Sequence, residues 1–297
     1  MHMDTAGIVG LGVMGGRCAK KLLEAGVSVA GYDPSPAAAR RAEEAGVAVC
    51  GSPADVAGRS SVVLLFVPGS ADTEQAIVGE GGLMAGASAG GVIVNMSTVD
   101  PGVNVRMAER LEPAGIAFAD APVLGSPSGV GSWAFAVGAS EGTFARIKDV
   151  LLILSGSEER LFHIGPVGYG NRLKLLNNMM LGAINACAVE IMALADHMGL
   201  SQKTLIDVAV AANARVLSNA YKEIGGRIVE GRYDEPTFTV DMLIKDNRLC
   251  LDMANDYGAP LVVGAAVDYV HRMAAAQGYG PKDHAVAWKA VARNWKA

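Results

Sequence analysis

Short apolar runs alternate with longer alanine-rich segments through the first half of this chain. Glycine and proline separate most of these runs, which are short enough to be single strands. The expected strands are residues 7–9, 27–32, 62–67, 92–95, 117–119, 134–137 and 161–164. Strands that alternate with helices pair in parallel and are covered by those helices. The first half therefore predicts an α/β domain built on a parallel sheet.

The second half changes character after a glycine-rich turn at residues 165–170, beyond which strand patterns become sparse. Apolar positions there recur at helical spacing. The expected helices are residues 171–197, 202–216, 242–257 and 261–277. We therefore expect two domains, residues 1–165 with the parallel sheet and residues 166–297 all-helical, joined by the long helix.

Composition and charge narrow the classes of function. Thirty acidic against twenty-five basic residues give a net charge of −5, without the basic block that a nucleic-acid binder uses. The sequence shows no apolar stretch that approaches the ~20 residues needed to cross a bilayer, and no cysteine or histidine spacing typical of a metal site. The four cysteines are widely separated, which favours free thiols and a cytoplasmic location.

A pattern of three glycines, GLGVMG at residues 10–15, follows the first strand and opens a predicted helix. Glycines at this spacing let the turn tighten and bring backbone N–H groups close to a pyrophosphate at the helix N-terminus. This context indicates a Rossmann-type dinucleotide-binding domain. The loop residues expected to contact the cofactor are Gly10, Leu11, Gly12, Val13 and Met14.

The second strand ends before Asp33, about 20 residues beyond Gly12. A carboxylate at this position accepts hydrogen bonds from the adenosine ribose and repels a 2′-phosphate, so we expect NAD rather than NADP. Arg40 and Arg41 keep NADP open. The alternative interpretation is an ordinary strand-to-helix turn that Asp33 merely begins.

Four ordered motifs together resemble the β-hydroxyacid dehydrogenase family, which includes 3-hydroxyisobutyrate dehydrogenases and tartronate semialdehyde reductases. They are the glycine loop at residues 10–15, DAPVLGS at 120–126, GYGNRLKLLNN at 168–178 and the pair Lys245-Asp246. In this order the motifs span nearly the whole chain. The resemblance implies reversible hydride transfer between a nicotinamide cofactor and a short β-hydroxy acid, and a homodimer or homotetramer that pairs through its helical domain.

Lys174 and Asn178 lie four positions apart, so one face of the long helix presents both, with Asn171 nearby. The resemblance implies that Lys174 contacts the substrate, donates a proton during carbonyl reduction and accepts one during alcohol oxidation. It also implies that Asn178 orients the lysine or the substrate oxygen, and that Asn171 adds to the substrate-facing surface. A lone helical lysine is ordinarily a solvated charge, so this hypothesis depends on the flanking motifs.

The substrate loop departs from the family pattern, which usually has serine and two glycines after Pro-Val. Here those positions hold Leu124, Gly125 and Ser126. Backbone N–H groups around Gly125 can still hold a substrate carboxylate, and Ser126 restores a hydroxyl. Leu124 removes a polar contact, which favours a more apolar or differently shaped substrate. A plain proline–glycine turn is the alternative.

The resemblance adds contacts at two buried strand ends and in the second domain. Further expected site residues are, for the cofactor, Val67, Pro68, Thr98 and Lys245, with Ser97 close by, and, for the substrate, Phe238 and Asp246. Each has a structural alternative. Pro68 can simply end its strand, and Ser97 and Thr98 can cap the helix that follows. Phe238 can be a core residue, and Lys245 with Asp246 a charge pair on the surface.

Other functions stay open. Decarboxylating dehydrogenases share the architecture but have a histidine near the catalytic lysine, where this chain has Asn177 and Asn178. Imine reductases commonly replace that lysine, which is retained here as Lys174. A cofactor-binding sensor or scaffold without turnover is favoured by the altered substrate loop and disfavoured by Lys174. Candidate substrates are 3-hydroxyisobutyrate, glycerate with tartronate semialdehyde, and 4-hydroxybutyrate.

Overall fold

A nine-stranded sheet organises the first part of the chain in the computed structural model, which describes residues 5–293. The strands are β1 (Thr5–Val9), β2 (Ser28–Tyr32), β3 (Ala48–Val49), β4 (Val62–Leu65), β5 (Val92–Asn95), β6 (Ala117–Asp120), β7 (Val123–Leu124), β8 (Ala134–Gly138) and β9 (Leu161–Gly165). Their order across the sheet is β3-β2-β1-β4-β5-β6-β8-β7, with β9 paired to β8.

Strands β1 to β6 pair in parallel, while β8 runs antiparallel to β6 and β7. The order β3-β2-β1-β4-β5-β6 is that of doubly wound sheets, whose ligands lie beyond the carboxyl ends of the strands where the order reverses. That reversal lies between β1 and β4. The expected parallel sheet is confirmed, and it carries an antiparallel extension.

Helices cover the sheet and form the second half of the chain. Those within the first half are α1 (Val13–Glu24), α2 (Pro36–Glu44), α3 (Pro53–Gly58), α4 (Ser70–Val78), α5 (Leu83–Gly86), α6 (Pro101–Leu111) and α7 (Glu141–Ser155). The later ones are α8 (Tyr169–His197), α9 (Gln202–Ala211), α10 (Asn219–Glu230), α11 (Val240–Asp256), α12 (Val262–Ala274) and α13 (Ala287–Arg293). The expected Rossmann-type domain followed by an all-helical domain is confirmed.

Alternate residues of the central strands pack on opposite faces of the sheet. In β4, Val62 and Leu64 belong to one buried cluster, and Val63 and Leu65 belong to the other. Side chains alternate along a strand, so a strand covered on both faces is apolar at every position. This is why the central strands stand out in the sequence as continuous apolar runs.

The chain divides into two compact units, one up to Lys174 and one from Leu175 onward. The division falls inside α8, which therefore contributes residues to both units. The domain boundary expected at residue 165 lies just before α8 begins and stays a prediction.

The second unit has a core of its own that contains buried histidines. The Asn185 side chain lies 2.6 Å from ring nitrogens of both His271 and His284. Burial lowers the pKa of His271 to about 4 and also lowers the pKa of His284. Both rings are therefore neutral near pH 7. The His284 ring meets the Phe238 ring edge to face at 5.8 Å, which packs Phe238 against this core.

Several expected element ends differ from the structure, and the local backbone explains the ends of β4 and α9. Strand β4 ends at Leu65 rather than residue 67, because the Val67 N–H donates to Ser97 Oγ instead of to a neighbouring strand. Helix α9 ends at Ala211 rather than residue 216, and the chain then turns through Asn213, whose φ of +46° is left-handed.

Helix α10 is missing from the expected elements, which is a further error. Its centre contains Gly225 and Gly226, and glycine lowers helix propensity by about 1 kcal/mol per residue. A Cβ at Gly225 would overlap the side chain of Ile206 on α9. Gly225 therefore weakens the helical pattern in the sequence and also allows α10 to pack closely against α9.

Within residues 5–293, one helix is long and apolar enough by length and composition to cross a membrane. This is α8, with a mean hydropathy of 1.5 over its most apolar window, half of which is buried inside the protein. The expectation that no segment approaches this length was therefore wrong for α8. Buried core helices meet the same criterion, so the measure carries no conclusion about a membrane.

Candidate active site

Two backbone contacts that only glycine allows shape the turn between β1 and α1. Gly10 has a φ of +91°, and a Cβ there would overlap the carbonyl oxygen of Phe66, which follows β4. A Cβ at Gly15 would in turn overlap the carbonyl oxygen of Gly10. The first and third glycines of the motif therefore hold the turn tightly against the end of β4.

Gly12, the middle glycine, lies at the N-terminus of α1 and faces open space. Among the described residues outside its chain neighbours, no heavy atom lies within 4 Å of the position that a Cβ would take, and no side chain caps the helix. Unsatisfied N–H groups at a helix N-terminus favour phosphate. The loop therefore fits a dinucleotide pyrophosphate, because glycine leaves free the space that a side chain would fill.

Asp33, directly after β2, is bonded to the glycine loop. Its Oδ2 accepts a hydrogen bond from the Leu11 N–H at 2.7 Å, and its Oδ1 accepts one from the Ser35 N–H at 2.8 Å. The carboxylate thus begins the turn before α2 and also fixes the loop. Each oxygen has a second lone pair, which suits a ribose hydroxyl. The two interpretations of Asp33 from the sequence are therefore compatible.

Ser97 joins the loops that follow β4 and β5. Its Oγ accepts a hydrogen bond from the Val67 N–H at 2.8 Å and donates one to the Leu65 carbonyl at 3.2 Å. Pro68 and Thr98 are the next residues on the two loops. Because β1, β4 and β5 are neighbours, these loops lie at the same edge of the sheet as the glycine turn. The structure therefore brings the predicted cofactor residues of the first unit to one edge.

A buried carboxylate anchors the start of α8. Asp120, at the end of β6, accepts hydrogen bonds from the N–H groups of Gly168 and Asn171, each at 2.7 Å. Burial raises the pKa of Asp120 to about 6, against the lowering effect of these bonds, so the group is ionised at neutral pH. Asn171 is itself fully buried, and its Oδ1 accepts a hydrogen bond from the Val99 N–H at 2.9 Å. Its amide thus bonds protein groups, and a substrate contact by Asn171 stays a prediction.

Trp133 holds the substrate loop in place. Its indole N–H donates to the Ser126 carbonyl at 2.7 Å, and the ring is fully buried. A Cβ at Gly125 would lie 2.6 Å from Trp133 Cδ1, so the loop passes over the ring only with glycine at this position. Gly125 and Ser126 are exposed beyond it. The backbone of this loop is therefore fixed by a residue outside the motif.

Leu124 differs from its neighbour Val123 in what it contacts. Val123 is buried in the cluster on one face of the sheet. Leu124 is only half-buried and is not among the partly buried side chains that pack against that cluster. An apolar side chain is thus presented beside the exposed loop.

Lys174 and Asn178 lie one turn apart on α8. Asn178 is almost fully buried, and its Nδ2 donates to Asp246 Oδ2 at 2.6 Å while its Oδ1 accepts from Asn177 Nδ2 at 3.2 Å. Lys245 Nζ lies 3.2 Å from Asp246 Oδ1. The second unit therefore brings Asn178, Lys245 and Asp246 together, and the amide of Asn178 has a fixed orientation.

Sequence reasoning missed the roles of Asp120 and Trp133. Asp120 opens the motif at residues 120–126, and a carboxylate at the end of an apolar strand is a signal for several donors around a buried charge, but neither pattern identifies those donors. Trp133 carried no local signal. Phe238, placed in the substrate site by resemblance, packs against His284 in the second unit. Within the described part of the chain, residues 5–293, no group of three or more His, Cys, Asp or Glu residues could hold a metal ion.

Two family models match consecutive parts of the chain. The NAD binding domain of 6-phosphogluconate dehydrogenase matches residues 5–165, and the NAD-binding region of NADP-dependent 3-hydroxyisobutyrate dehydrogenase matches residues 168–291. Together they include every motif singled out in the sequence.

Individual proteins match over most of the chain. It is 31% identical over 284 residues to the mitochondrial 3-hydroxyisobutyrate dehydrogenase of Homo sapiens, covering 93% of this chain and 83% of that protein. It is 32% identical over 283 residues to the L-threonate dehydrogenase of Cupriavidus necator, covering 93% and 92%. The crystal structure of 3-hydroxyisobutyrate dehydrogenase from Salmonella typhimurium superposes with a TM-score of 0.86 at 28% identity, covering 96% of this chain and 99% of that one.

Replacement by alanine is expected to affect different properties at Gly12 and Gly15. At Gly12, which faces open space, it should weaken cofactor binding, and at Gly15, which is closely packed, it should lower stability. Gly12→Ala is expected to leave the thermal midpoint near that of the wild type and to weaken NADH binding about tenfold, which corresponds to ~1.4 kcal/mol. Gly15→Ala forces the loop apart and is expected to lower stability by about 1–3 kcal/mol. Fluorescence titration with NADH and thermal unfolding measure the two effects. Wild-type affinity in Gly12→Ala would contradict the assignment of this loop.

Proposed function

Because this chain belongs to the β-hydroxyacid dehydrogenase family, we propose that it interconverts a short β-hydroxy acid and the corresponding semialdehyde. The protein is an NAD(P)-dependent oxidoreductase that acts on CH–OH groups. The observation that carries the specific proposal is the position of Lys174 on α8, one turn from an asparagine whose amide is fixed by a buried carboxylate.

We propose NAD as the cofactor, bound by the glycine turn and the neighbouring loops of the first unit. The carboxylate of Asp33 supports NAD, because its charge would repel a 2′-phosphate. Gly12 leaves space at the N-terminus of α1 for the pyrophosphate. Lys245 is a further cofactor contact that the family resemblance implies.

The proposed proton transfer takes place at Lys174. When bound, a nicotinamide cofactor would supply the hydride acceptor for oxidation of the substrate carbon and the hydride donor for reduction. During oxidation the neutral amine of Lys174 accepts the alcohol proton, directly or through water. During reduction its ammonium donates that proton and stabilises the negative charge that develops on the substrate oxygen. Asn178, held by Asp246, orients the lysine or the substrate oxygen.

We propose that the exposed loop around Gly125 and Ser126 holds the substrate carboxylate, and that Leu124 faces the substituent on the adjacent carbon, C2. In 3-hydroxyisobutyrate this substituent is a methyl group, whereas glycerate has a hydroxyl there. A leucine offers the hydroxyl no hydrogen-bond partner, and an unpaired buried hydroxyl costs about 1–3 kcal/mol. The proposed substrate class is therefore a 3-hydroxy acid with an apolar substituent on C2.

Replacing Lys174 by methionine removes the amine and keeps the length of the side chain. We expect kcat to fall by about 10²–10⁴-fold, because a positioned acid–base group contributes that much, while NADH binding is retained. Absorbance at 340 nm with a panel of short hydroxy acids, each with NAD and with NADP, measures the rate.

Lys148→Met is the matched control, since Lys148 forms a surface ion pair with Glu158, which lies between α7 and β9, and it should retain full activity. Equal rates in Lys174→Met and wild type would reject the lysine as the proton-transfer group. A wild-type protein that binds NADH but is silent with the whole panel would favour the sensor function.

The identity of residue 124 predicts substrate preference. The ratio of kcat/KM for 3-hydroxyisobutyrate over glycerate is expected to be about tenfold or more in the wild type and to fall by about tenfold in Leu124→Ser. Ser128→Ala alters a neighbouring hydroxyl and keeps Leu124, so it should leave the ratio unchanged. Equal turnover of both acids by the wild type would contradict the proposed substrate class.

We also propose a homodimer that pairs through α8. Exposed side chains recur along this helix at intervals of three, four or seven residues: Leu173, Leu176, Met180, Cys187, Ile191 and Leu194. Such a stripe on one face suits a second helix of the same kind, and contiguous exposed apolar surface marks interaction sites.

The four cysteines are unpaired, which supports a reducing cytoplasmic location, testable by cell fractionation.

A charge within the stripe should prevent pairing. We expect wild-type protein to show twice the mass of the chain by light scattering, and the Met180→Glu/Ile191→Glu variant to show the mass of one chain. Phe162→Glu, at an exposed aromatic residue on β9, is the control and should keep the wild-type mass. A wild-type monomer over a broad concentration range would count against the dimer.

A further inference from the structure

Within the first unit, one carboxylate and one amide connect three chain segments. Asp120 accepts hydrogen bonds from the N–H groups of Gly168 and Asn171, and the Asn171 side chain accepts one from the Val99 N–H. We propose that Asp120 and Asn171 form a positioning bridge, which fixes the first turn of α8, and Lys174 with it, against the loop that follows β5. This inference rests on the proposed role of Lys174.

The carboxylate is enclosed by backbone that approaches more closely than a side chain would permit. A Cβ at Gly138 would overlap Asp120 Oδ1. A Cβ at Gly170 would lie 2.6 Å from the carbonyl oxygens of both Ala136 and Asp120, and 2.9 Å from Asp120 Oδ2. Gly168 supplies the sharp turn into α8 with a φ of +95°. Glycines on β8 and on the segment entering α8 thus allow the helix start to be drawn onto the carboxylate.

The charge of Asp120 suits this position. The first N–H groups of a helix have no intrahelical partner, and the helix dipole favours an anion there. An ionised carboxylate only accepts hydrogen bonds, and here it faces two backbone N–H groups and, at 3.4 Å, the Asn171 amide nitrogen. A fully buried charge is tolerated because the surrounding donors satisfy it.

The bridge reaches the proposed catalytic group within one helical turn. Asn171 lies three residues before Lys174 on α8. Its Oδ1 holds the N–H of Val99, the residue after Thr98, which is a predicted cofactor contact. Asp120 itself opens the substrate motif at residues 120–126. A shift at Asp120 would therefore move the lysine relative to both loops, and a displacement of about 1 Å in such a site can cost about 100-fold in rate.

Hydrogen exchange tests the bridge without relying on activity. Asp120→Asn keeps the shape of the side chain but places an NH₂ group against one of the two N–H donors. We expect amides in residues 168–174 to exchange about tenfold faster, because the first turn of α8 opens more often once its anchor is weakened. Peptides from β1 to β5 should keep wild-type rates. Ser155→Ala removes a buried hydroxyl of the first unit, which bonds the carbonyls of Leu152 and Ser157, and should leave residues 168–174 unchanged. Unchanged exchange there in Asp120→Asn would overturn the bridge.

A double-mutant cycle tests whether Asp120 acts through Lys174. Asp120→Asn is expected to lower kcat about tenfold or more, with the Kd for NADH within about twofold of wild type. In the Lys174→Met background the same substitution should have little further effect on kcat, because the misplaced group is already gone. Equal losses in both backgrounds would overturn positioning of the lysine.

Two further comparisons separate the possible failures. If Asp120→Asn does not fold, Asn171→Ala serves in both experiments, because it removes the Val99 bond and the 3.4 Å contact of its amide nitrogen with Asp120 but keeps the backbone N–H bond to Asp120. If the wild type oxidises no hydroxy acid, the proposed function fails, whereas the exchange rates still decide whether the bridge fixes the start of α8.

Discussion

The backbone contact between the β1–α1 turn and the end of β4 is the constraint on which the rest of the site depends. Gly10 approaches the Phe66 carbonyl too closely for any side chain, and the Phe66 N–H donates to the Val9 carbonyl at 2.8 Å. The strand order reverses at this point, so the loops after β1 and β4 diverge to opposite faces and leave a crevice. Asp33 then fixes the Leu11 N–H, and Ser97 fixes the Val67 N–H. The close contact at Gly10 and these two hydrogen bonds therefore set the geometry of the edge proposed to bind the cofactor.

The features that could be predicted from the sequence are those encoded by local spacing. The glycine loop, Asp33 and the alternation of strands and helices each depend on residues near one another in the chain, so their pattern carries the fold. Asn178 and Asp246 are separated by 68 positions, and Asp120 and Asn171 by 51. No periodicity encodes such pairs, because they arise only when distant elements pack. The same holds for Trp133, whose hydrogen bond to Ser126 depends on the pairing of β7 with β8.

Two of the buried asparagines on helix α8 are each bonded to a buried aspartate of their own unit. Asn171 is held by Asp120 in the first unit, and Asn178 is held by Asp246 in the second. Lys174 lies between the two asparagines in the sequence of the helix. A buried carboxylate is costly unless its oxygens are satisfied, and the donors that satisfy it are thereby fixed in place. Because each buried aspartate needs hydrogen-bond donors from α8, each of them fixes the position of the helix segment that supplies those donors. Lys174 lies on this helix.

The loop proposed to bind the substrate obeys a different constraint from the elements proposed to bind the cofactor and to transfer the proton. Lys174 and the glycine turn belong to a long helix and a parallel sheet, whereas Leu124, Gly125 and Ser126 occupy the end of a two-residue strand and a short turn. Trp133 fixes the backbone of that turn through Ser126 and Gly125 but does not determine the side chain at residue 124. A change from a polar to an apolar side chain at this position therefore requires no change in the rest of the site. The family's usual serine can be absent here while the elements proposed to carry out hydride and proton transfer are retained, which makes the loop the part of the structure where substrate preference can vary.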